Sequence, residues 1–166
     1  LVAGRLPEPG RVGLAYVLSG RGGVLCEFTV TRLASDDFWL LSASSGEWHD
    51  ADLLAAHVAG PGVSVANETA AHTTLVVAGP RSRELLAALA SDDMSGAAFP
   101  WLHARPVVVA GRRMWALRIN YVGELGWELH PAMEDAPAVH DALREAGAAP
   151  GLADVGIYAV DSLRLE

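Results

Sequence analysis

Lysine is absent from this sequence, so its 12 basic residues are all arginines, set against 20 aspartates and glutamates. The net charge of -8 excludes a nucleic-acid partner, because a phosphate backbone requires a basic protein face. The single cysteine, Cys26, excludes an internal disulfide and fits a reducing compartment, so we expect a cytoplasmic location. No apolar run approaches the ~20 residues that cross a bilayer, so we expect no membrane partner.

The sequence also lacks the spacings of metal and phosphate sites. Its six histidines show no paired ligand spacing, and Cys26 has no second cysteine, so we predict no metal site. The glycine-rich segment 19–23 lacks the Gly-Lys-Ser/Thr ending of a phosphate-binding loop. An anionic ligand would therefore be bound by arginines or by backbone N–H groups.

The two ends carry no start or stop signals. The sequence begins without methionine, and the last helical pattern reaches Glu166 without a Gly, Asn or Pro. We therefore expect a piece of a larger protein, truncated at both ends.

The composition that is present, 51% apolar and 19% charged, is that of a globular protein. The first third of the chain predicts an antiparallel meander with strands at 12–18, 24–33 and 38–43. The turn at 19–23 joins the first two strands, since its glycines tolerate tight backbone geometry. A helix at 48–58 follows, with its apolar residues spaced for one face.

The remainder of the chain mixes short strands and helices without strict alternation of the two. Strands are predicted at 63–65, 73–78, 106–109, 114–121 and 126–130, and helices at 81–90, at 136–145 and from near Leu152. Grouped strands with interspersed helices indicate an α+β fold with two lobes of antiparallel sheet and packed helices. We assign the lobes to residues 1–62 and 63–166, joined near 60–67.

Two carboxylates occupy the middle of predicted strands, Glu27 and Glu128. Strand alternation permits both to point to solvent. Alternatively, the sheet face that bears them is turned into a ligand-binding cleft. A carboxylate in such a cleft could accept hydrogen bonds from a heteroaromatic ligand or take part in proton transfer. Tyr121, just before a turn, either stacks on a flat ring or packs in the core. The pattern alone does not choose between these interpretations.

Several segments resemble the glycine-cleavage T-protein family and, more closely, the folate domain of dimethylglycine and sarcosine dehydrogenases. These segments follow the family order and cover nearly the whole chain: GGVLCEFTVTRL at 22–33, WHD at 48–50, GPRSR at 79–83, AFP at 98–100, RINYVGELGWEL at 118–129 and GIYAVDSLRLE at 156–166.

This resemblance implies an aminomethyltransferase-type module that binds tetrahydrofolate and captures a one-carbon unit as 5,10-methylenetetrahydrofolate. It implies that Glu27 takes the place of the catalytic Asp, that Glu128 binds the pteridine ring, and that Tyr121 contacts folate. It also implies a covalently linked flavin domain in the parent protein, which alone would hold FAD. The folate would be reduced and polyglutamylated, with local arginines receiving its tail.

The sequence departs from the T-protein pattern in three ways. Glu27 is one methylene longer than Asp, and Val160 replaces an Arg near the start of the last helix; both features fit the dehydrogenase branch. The chain also lacks the family's barrel segments and any Gly-rich flavin fingerprint. We therefore expect that this part of the protein does not oxidise an amine by itself.

Three alternatives remain open at this point. One is a non-enzymatic folate-binding relative that assists iron–sulfur assembly, whose Lys-Gly-Cys motif would lie beyond Glu166. Another is a module retained for packing between domains. The third is a demethylase that transfers a methyl group from a sulfonium or an aryl ether to tetrahydrofolate.

Overall fold

The computed structural model describes residues 2–58, 61–149 and 151–166. The chain divides into two compact units, Leu1–Thr69 and Ala70–Glu166. Each unit contains one antiparallel sheet with helices, which confirms the predicted α+β class. The assignment of folate-binding lobes to 1–62 and 63–166 stays a prediction, and residues 63–69 lie in the first unit. Gly60, at the start of the predicted connection, lies outside the described residues.

The first unit is an antiparallel meander followed by a helix. Its strands pair in chain order, and a short 3-10 turn at Ser44–Gly46 precedes the helix; the elements are β1 (Val2–Ala3), β2 (Arg11–Leu18), β3 (Val24–Arg32), β4 (Phe38–Leu41) and α1 (Glu47–His57). The predicted turn at 19–23 is confirmed: the Ser19 N–H donates to the Gly23 carbonyl, and Gly22 adopts a φ of 82°. A side chain at Gly22 would be strained at that φ.

The two faces of the first sheet differ in burial. Phe28 and Val30 of β3 are buried together with Leu54 of α1, as strand alternation predicts. The opposite face leaves several large apolar side chains of β2 and β3 exposed, among them Leu14 (61%) and Leu25 (46%). The centre of this sheet therefore presents an open, largely apolar surface on one side.

Over its described residues, 70–149 and 151–166, the second unit contains a sheet of order β5-β8-β7-β6 and three helices. Its elements are β5 (Leu75–Ala78), α2 (Ser82–Leu89), β6 (Ala104–Val109), β7 (Arg112–Leu117), β8 (Gly126–His130), α3 (Ala136–Gly147) and α4 (Ile157–Arg164). Trp127 and Leu129 of β8 are fully buried in a core with residues of α2 and α3, including Leu86 and Val139. Burying these side chains holds β8 at the centre of the unit, because each contributes about 1.5–3 kcal/mol.

The predicted strand at 63–65 is wrong. Residues 61–69 pair with no strand among the described residues, and Val63 and Val65 are 64% and 54% exposed. Two valines favour extended backbone, but a strand also requires a partner for its N–H and C=O groups.

The last helix begins at Ile157 and not near Leu152 as predicted. The N–H of Leu152 donates to the carbonyl of Gly147, and Gly151 has a φ of 83°. The left-handed Gly151 turns the chain back, so that the Leu152 N–H satisfies a carbonyl at the C-terminal end of α3.

Neither membrane spans nor metal clusters are found in the described part of the chain. None of the helices described within 2–58, 61–149 and 151–166 is long and apolar enough to cross a bilayer. Over the same ranges, no three His, Cys, Asp or Glu side chains are grouped so that they could hold a metal ion.

Candidate functional site

Glu27 lies at the centre of β3 on the open face of the first sheet. Strand register places it directly opposite Tyr16 of β2, and its carboxylate accepts a hydrogen bond from the Tyr16 hydroxyl. This hydrogen bond and the charge of Glu27 raise the pKa of Tyr16. Tyr16 thus fixes a carboxylate that is otherwise exposed among apolar neighbours.

A buried polar cluster lies on the other side of β3. The carboxylate of Asp50, 7% exposed at the start of α1, accepts hydrogen bonds from His49 (2.9 Å), Ser42 and Cys26. Burial opposes ionisation of Asp50, but these hydrogen bonds outweigh it and hold its pKa below the usual value. Burial and the nearby Asp50 raise the pKa of the Cys26 thiol, which disfavours its thiolate form, and the hydrogen bond to Asp50 links β3 to α1.

Glu128 lies in the middle of β8 and is partly buried. It stands between Val76 of β5 and Leu117 of β7, and 22% of its side chain is exposed. One of its oxygens lies 3.5 Å from the Nε2 atom of His130, which shares its face of the strand. Glu128 therefore lies on the sheet face opposite the core residues Trp127 and Leu129.

Tyr121 lies in the turn that connects β7 to β8, with 54% of its surface exposed. The guanidinium of Arg164, at the end of α4, is centred 3.9 Å from its ring. Arg164 also donates a hydrogen bond of 2.7 Å to the Tyr121 carbonyl. The ring is therefore a wall that is supported by a cation and accessible from solvent.

Two arginines pack on the buried Trp127 of β8. Arg83 of α2 and Arg118 both lie over the buried Trp127 ring, with guanidinium carbons 5.2 and 5.6 Å from it. Arg118 donates to the Phe99 carbonyl at 2.7 Å, and Arg83 donates to the carbonyl of Met94. Burial and the nearby Arg83 lower the pKa of Arg118.

Two concavities lie in the described part of the second unit, one beside the turn that connects β7 to β8 and one at the far end of β8. One, of about 270 Å³, is lined by Trp101, Arg118 and the turn at 123–126. The other, of about 200 Å³, is lined by seven residues that include His72, Trp115 and His130. Each is smaller than the ~300–1,000 Å³ of pockets that enclose a ligand of drug size. Neither concavity taken singly would enclose a whole folate.

Each of the three candidate site residues from the sequence contacts one specific side chain in the structure. Glu27 lies in the first unit, and Glu128 and Tyr121 lie in the second. Sequence reasoning missed the neighbours themselves, Tyr16, His130 and Arg164, although His130 follows Glu128 at the same-face spacing of a strand.

Known proteins with similar sequences and structures identify the family. The family model described as GCVT N-terminal domain matches residues 1–166. The chain is 36% identical to mitochondrial dimethylglycine dehydrogenase of Mus musculus, covering 100% of this chain and 19% of that protein. It is 40% identical to 4-methylaminobutanoate oxidase (formaldehyde-forming) of Paenarthrobacter nicotinovorans, covering 90% of this chain and 18% of that protein.

A solved structure shows the same fold. The crystal structure of glycine cleavage system aminomethyltransferase T from Bartonella henselae matches with a TM-score of 0.76 and 25% identity, covering 95% of this chain and 41% of that chain. The chain thus spans about a fifth of the two curated relatives described above. Because the family model covers the full sequence and the fold agrees, the chain belongs to the GCVT N-terminal domain family.

Proposed function

We propose that this chain is the tetrahydrofolate-binding part of an aminomethyltransferase-type module that captures a one-carbon unit as 5,10-methylenetetrahydrofolate. The observation that carries the proposal is Glu128, a partly buried carboxylate on a sheet face, close to the turn that bears the exposed Tyr121 ring. Family membership and similarity to enzymes named as aminomethyltransferase and dimethylglycine dehydrogenase support it.

The chemistry of Glu128 fits a folate. A carboxylate only accepts hydrogen bonds, and it has two oxygens for the adjacent N–H donors of a reduced pteridine. One oxygen of Glu128 faces His130, and the 22% exposure of the side chain leaves room for a ligand donor. Tyr121 supplies a flat wall for a ring. Both residues would therefore bind and orient the folate.

Glu27 would act on protons during transfer. Tetrahydrofolate supplies the nucleophilic nitrogens that capture the one-carbon unit. Glu27 would hold or relay a proton at those nitrogens, and Tyr16 would keep its carboxylate in place through their hydrogen bond. A reactive imine or formaldehyde held next to the folate nitrogens would react with them before it reacts with water, because a bound nucleophile benefits from proximity.

The one-carbon unit would come from a separate flavin domain of the same protein. The chain spans 19% of dimethylglycine dehydrogenase, so most of such a protein would lie outside this sequence. FAD would be bound only there, and its oxidation of an N-methylated amine would release the imine or formaldehyde. This chain would bind no metal and no nucleic acid.

A titration of the full-length protein with tetrahydrofolate tests the proposal. We expect calorimetry to give saturable binding, and amine oxidation with folate present to yield methylenetetrahydrofolate instead of free formaldehyde. Absence of folate binding would refute the proposal. Binding without any change in the product would indicate a non-catalytic folate module.

A further inference from the structure

His130 lies immediately beside Glu128 on the same sheet face and is almost completely buried. Only 2% of its side chain is exposed. Its Nε2 atom lies 3.5 Å from Oε2 of Glu128, and its Nδ1 atom lies 3.3 Å from Oγ1 of Thr74, just before β5. The imidazole ring thus connects a threonine hydroxyl on one side to the candidate ligand carboxylate on the other.

The chemistry of these groups sets which nitrogen of His130 can donate to Glu128. At 3.5 Å, Nε2 of His130 and the Glu128 oxygen lie at ion-pair distance and do not form a hydrogen bond in this geometry. Because a carboxylate can only accept, Nε2 must carry the hydrogen when the two groups come within bonding distance. The other nitrogen then accepts from the Thr74 hydroxyl, which can donate. A buried ring whose Nδ1 atom is bonded to Thr74 has a restricted orientation, and this orientation directs Nε2 toward Glu128.

We propose that His130, oriented by Thr74, is a positioning residue that holds one oxygen of Glu128 so that the carboxylate presents its remaining acceptor sites to a folate. The inference rests on the proposed function. The 3.5 Å separation is long for a hydrogen bond, and contacts of this kind shorten when a ligand fixes the carboxylate. His130 therefore lowers the cost of ordering Glu128 on binding without touching the folate.

Two substitutions of His130 distinguish the roles of its two ring nitrogens. The amide nitrogen of Gln reaches about as far as Nε2, whereas that of Asn reaches only about as far as Nδ1. In the full-length protein we expect His130→Gln to keep tetrahydrofolate affinity within about threefold, and His130→Asn to weaken it about tenfold, as the loss of a hydrogen bond to a charged group implies. Affinity is measured by calorimetry with tetrahydrofolate as the probe.

A double substitution distinguishes positioning from general damage. In a Glu128→Ala background, His130→Asn should cause no further loss of affinity, because its action passes through Glu128. His140→Asn is the matched control: this exposed histidine of α3 lies beside Asp141, and its replacement should leave the affinity unchanged. Unfolding midpoints of all variants show whether each one is folded.

The outcomes separate this inference from the proposed function. If the wild-type protein binds tetrahydrofolate and the Gln and Asn variants bind it equally well, the role of His130 is refuted and the proposed function is not. Additive losses in the double variant would overturn it as well. If both His130 variants fail to fold, Thr74→Val replaces them, with an expected loss of about threefold; an unchanged affinity there refutes the inference. No folate binding by the wild-type protein would overturn the function and the inference together.

Discussion

At the scale of single residues, Glu128 and Glu27 differ in their surroundings and therefore in their expected roles. Glu128 is partly buried beside His130, whereas Glu27 is exposed beside Tyr16. A carboxylate with a fixed neighbour in a half-buried position suits binding, because ligand donors meet it in the ground state and in the transition state alike. An exposed carboxylate held by a phenol suits proton handling, which is needed only while bonds change.

Replacing Glu128 should weaken folate binding. We expect Glu128→Ala to cost about 1.5–3 kcal/mol of binding free energy, the range for losing hydrogen bonds to a charged group. Calorimetry on the full-length protein measures this loss. Glu134→Ala, at an exposed position soon after β8, is the matched control and should bind like the wild type. Equal affinities for both variants would mean that Glu128 is only a solvated strand residue.

Replacing Glu27 should slow transfer more than it weakens binding. Glu27→Gln keeps the size of the side chain but not its charge, so we expect a nearly unchanged folate dissociation constant and slower formation of methylenetetrahydrofolate. Rapid-quench assays of product formation measure the rate. Glu27→Asp refines the test: a slower rate indicates a carboxylate tuned in length, and a maintained rate indicates a tolerated substitute for the family Asp. A large loss of affinity in Glu27→Gln with normal transfer would reverse the two roles.

These residues also show what could be predicted at this scale. Glu27, Glu128 and Tyr121 were selected through strand position and family resemblance, which both depend on local sequence. Tyr16 and Arg164 were not selected, because their roles depend on cross-strand register and on the return of α4 to the 118–125 turn. Contacts between residues far apart in sequence leave no local pattern.

At the scale of elements, the sequence predicts a strand correctly where an alternating apolar pattern coincides with neighbouring elements that pair with the strand and cover its apolar face. β8 was predicted with its observed bounds, because Trp127 and Leu129 alternate with polar residues and are packed in a core. The segment 63–65 also alternates apolar and polar residues, but it pairs with no strand in the part of the chain that the structure describes. The start of α4 was missed because Leu152 continues the apolar pattern while its N–H closes α3.

Asp50 joins α1 to β3, and its loss should weaken that junction. Because its pKa is lowered in the folded protein, its stabilising effect is present above the ordinary carboxyl pKa of about 3.9 and is lost as the pH falls through the lowered value. We expect Asp50→Asn to cost about 1–3 kcal/mol at pH 7 and less near pH 3. Unfolding midpoints at both pH values measure this difference.

The control for Asp50 lies two residues further along the same helix. Asp52→Asn replaces an exposed carboxylate of the same helix and should leave the unfolding midpoint unchanged at both pH values. A loss of stability in Asp50→Asn that does not shrink at low pH would show that packing, and not ionised Asp50, joins the two elements.

Gly126 begins β8 where no side chain fits. A Cβ atom there would lie 3.0 Å from the Val77 carbonyl oxygen of β5 and 2.7 Å from Nδ2 of Asn120. Gly126→Ala should force β5 and β8 apart and destabilise the second unit by about 1–3 kcal/mol. Thermal unfolding measures the effect. Gly20→Ala, with no atom within 4 Å of its added Cβ, is the control, and an equal effect of both would contradict the steric cause.

At the scale of the whole molecule, charge decides how a polyglutamylated folate would be received. The net charge of -8 repels a polyanionic tail at long range, while arginines are the only permanent side-chain cations that could attract it locally. Arg164 lies on the Tyr121 ring, and Arg118 and Arg83 lie on the Trp127 ring, so all three contribute positive charge to the second unit. The long-range repulsion and the local attraction oppose each other, and salt weakens both beyond a Debye length of about 8–10 Å.

The salt dependence of tail recognition follows from this opposition. We expect pentaglutamyl tetrahydrofolate to bind the full-length protein more tightly than the monoglutamate at low salt, with the ratio of affinities falling toward one as salt is raised, because local ion pairs are screened. Calorimetry of both ligands at about 20 and 200 mM salt measures the ratio, and the monoglutamate serves as the internal control. A pentaglutamate that binds more weakly at low salt and recovers at high salt would show that the tail meets the acidic surface of the protein, and local arginines would then have no part in holding it.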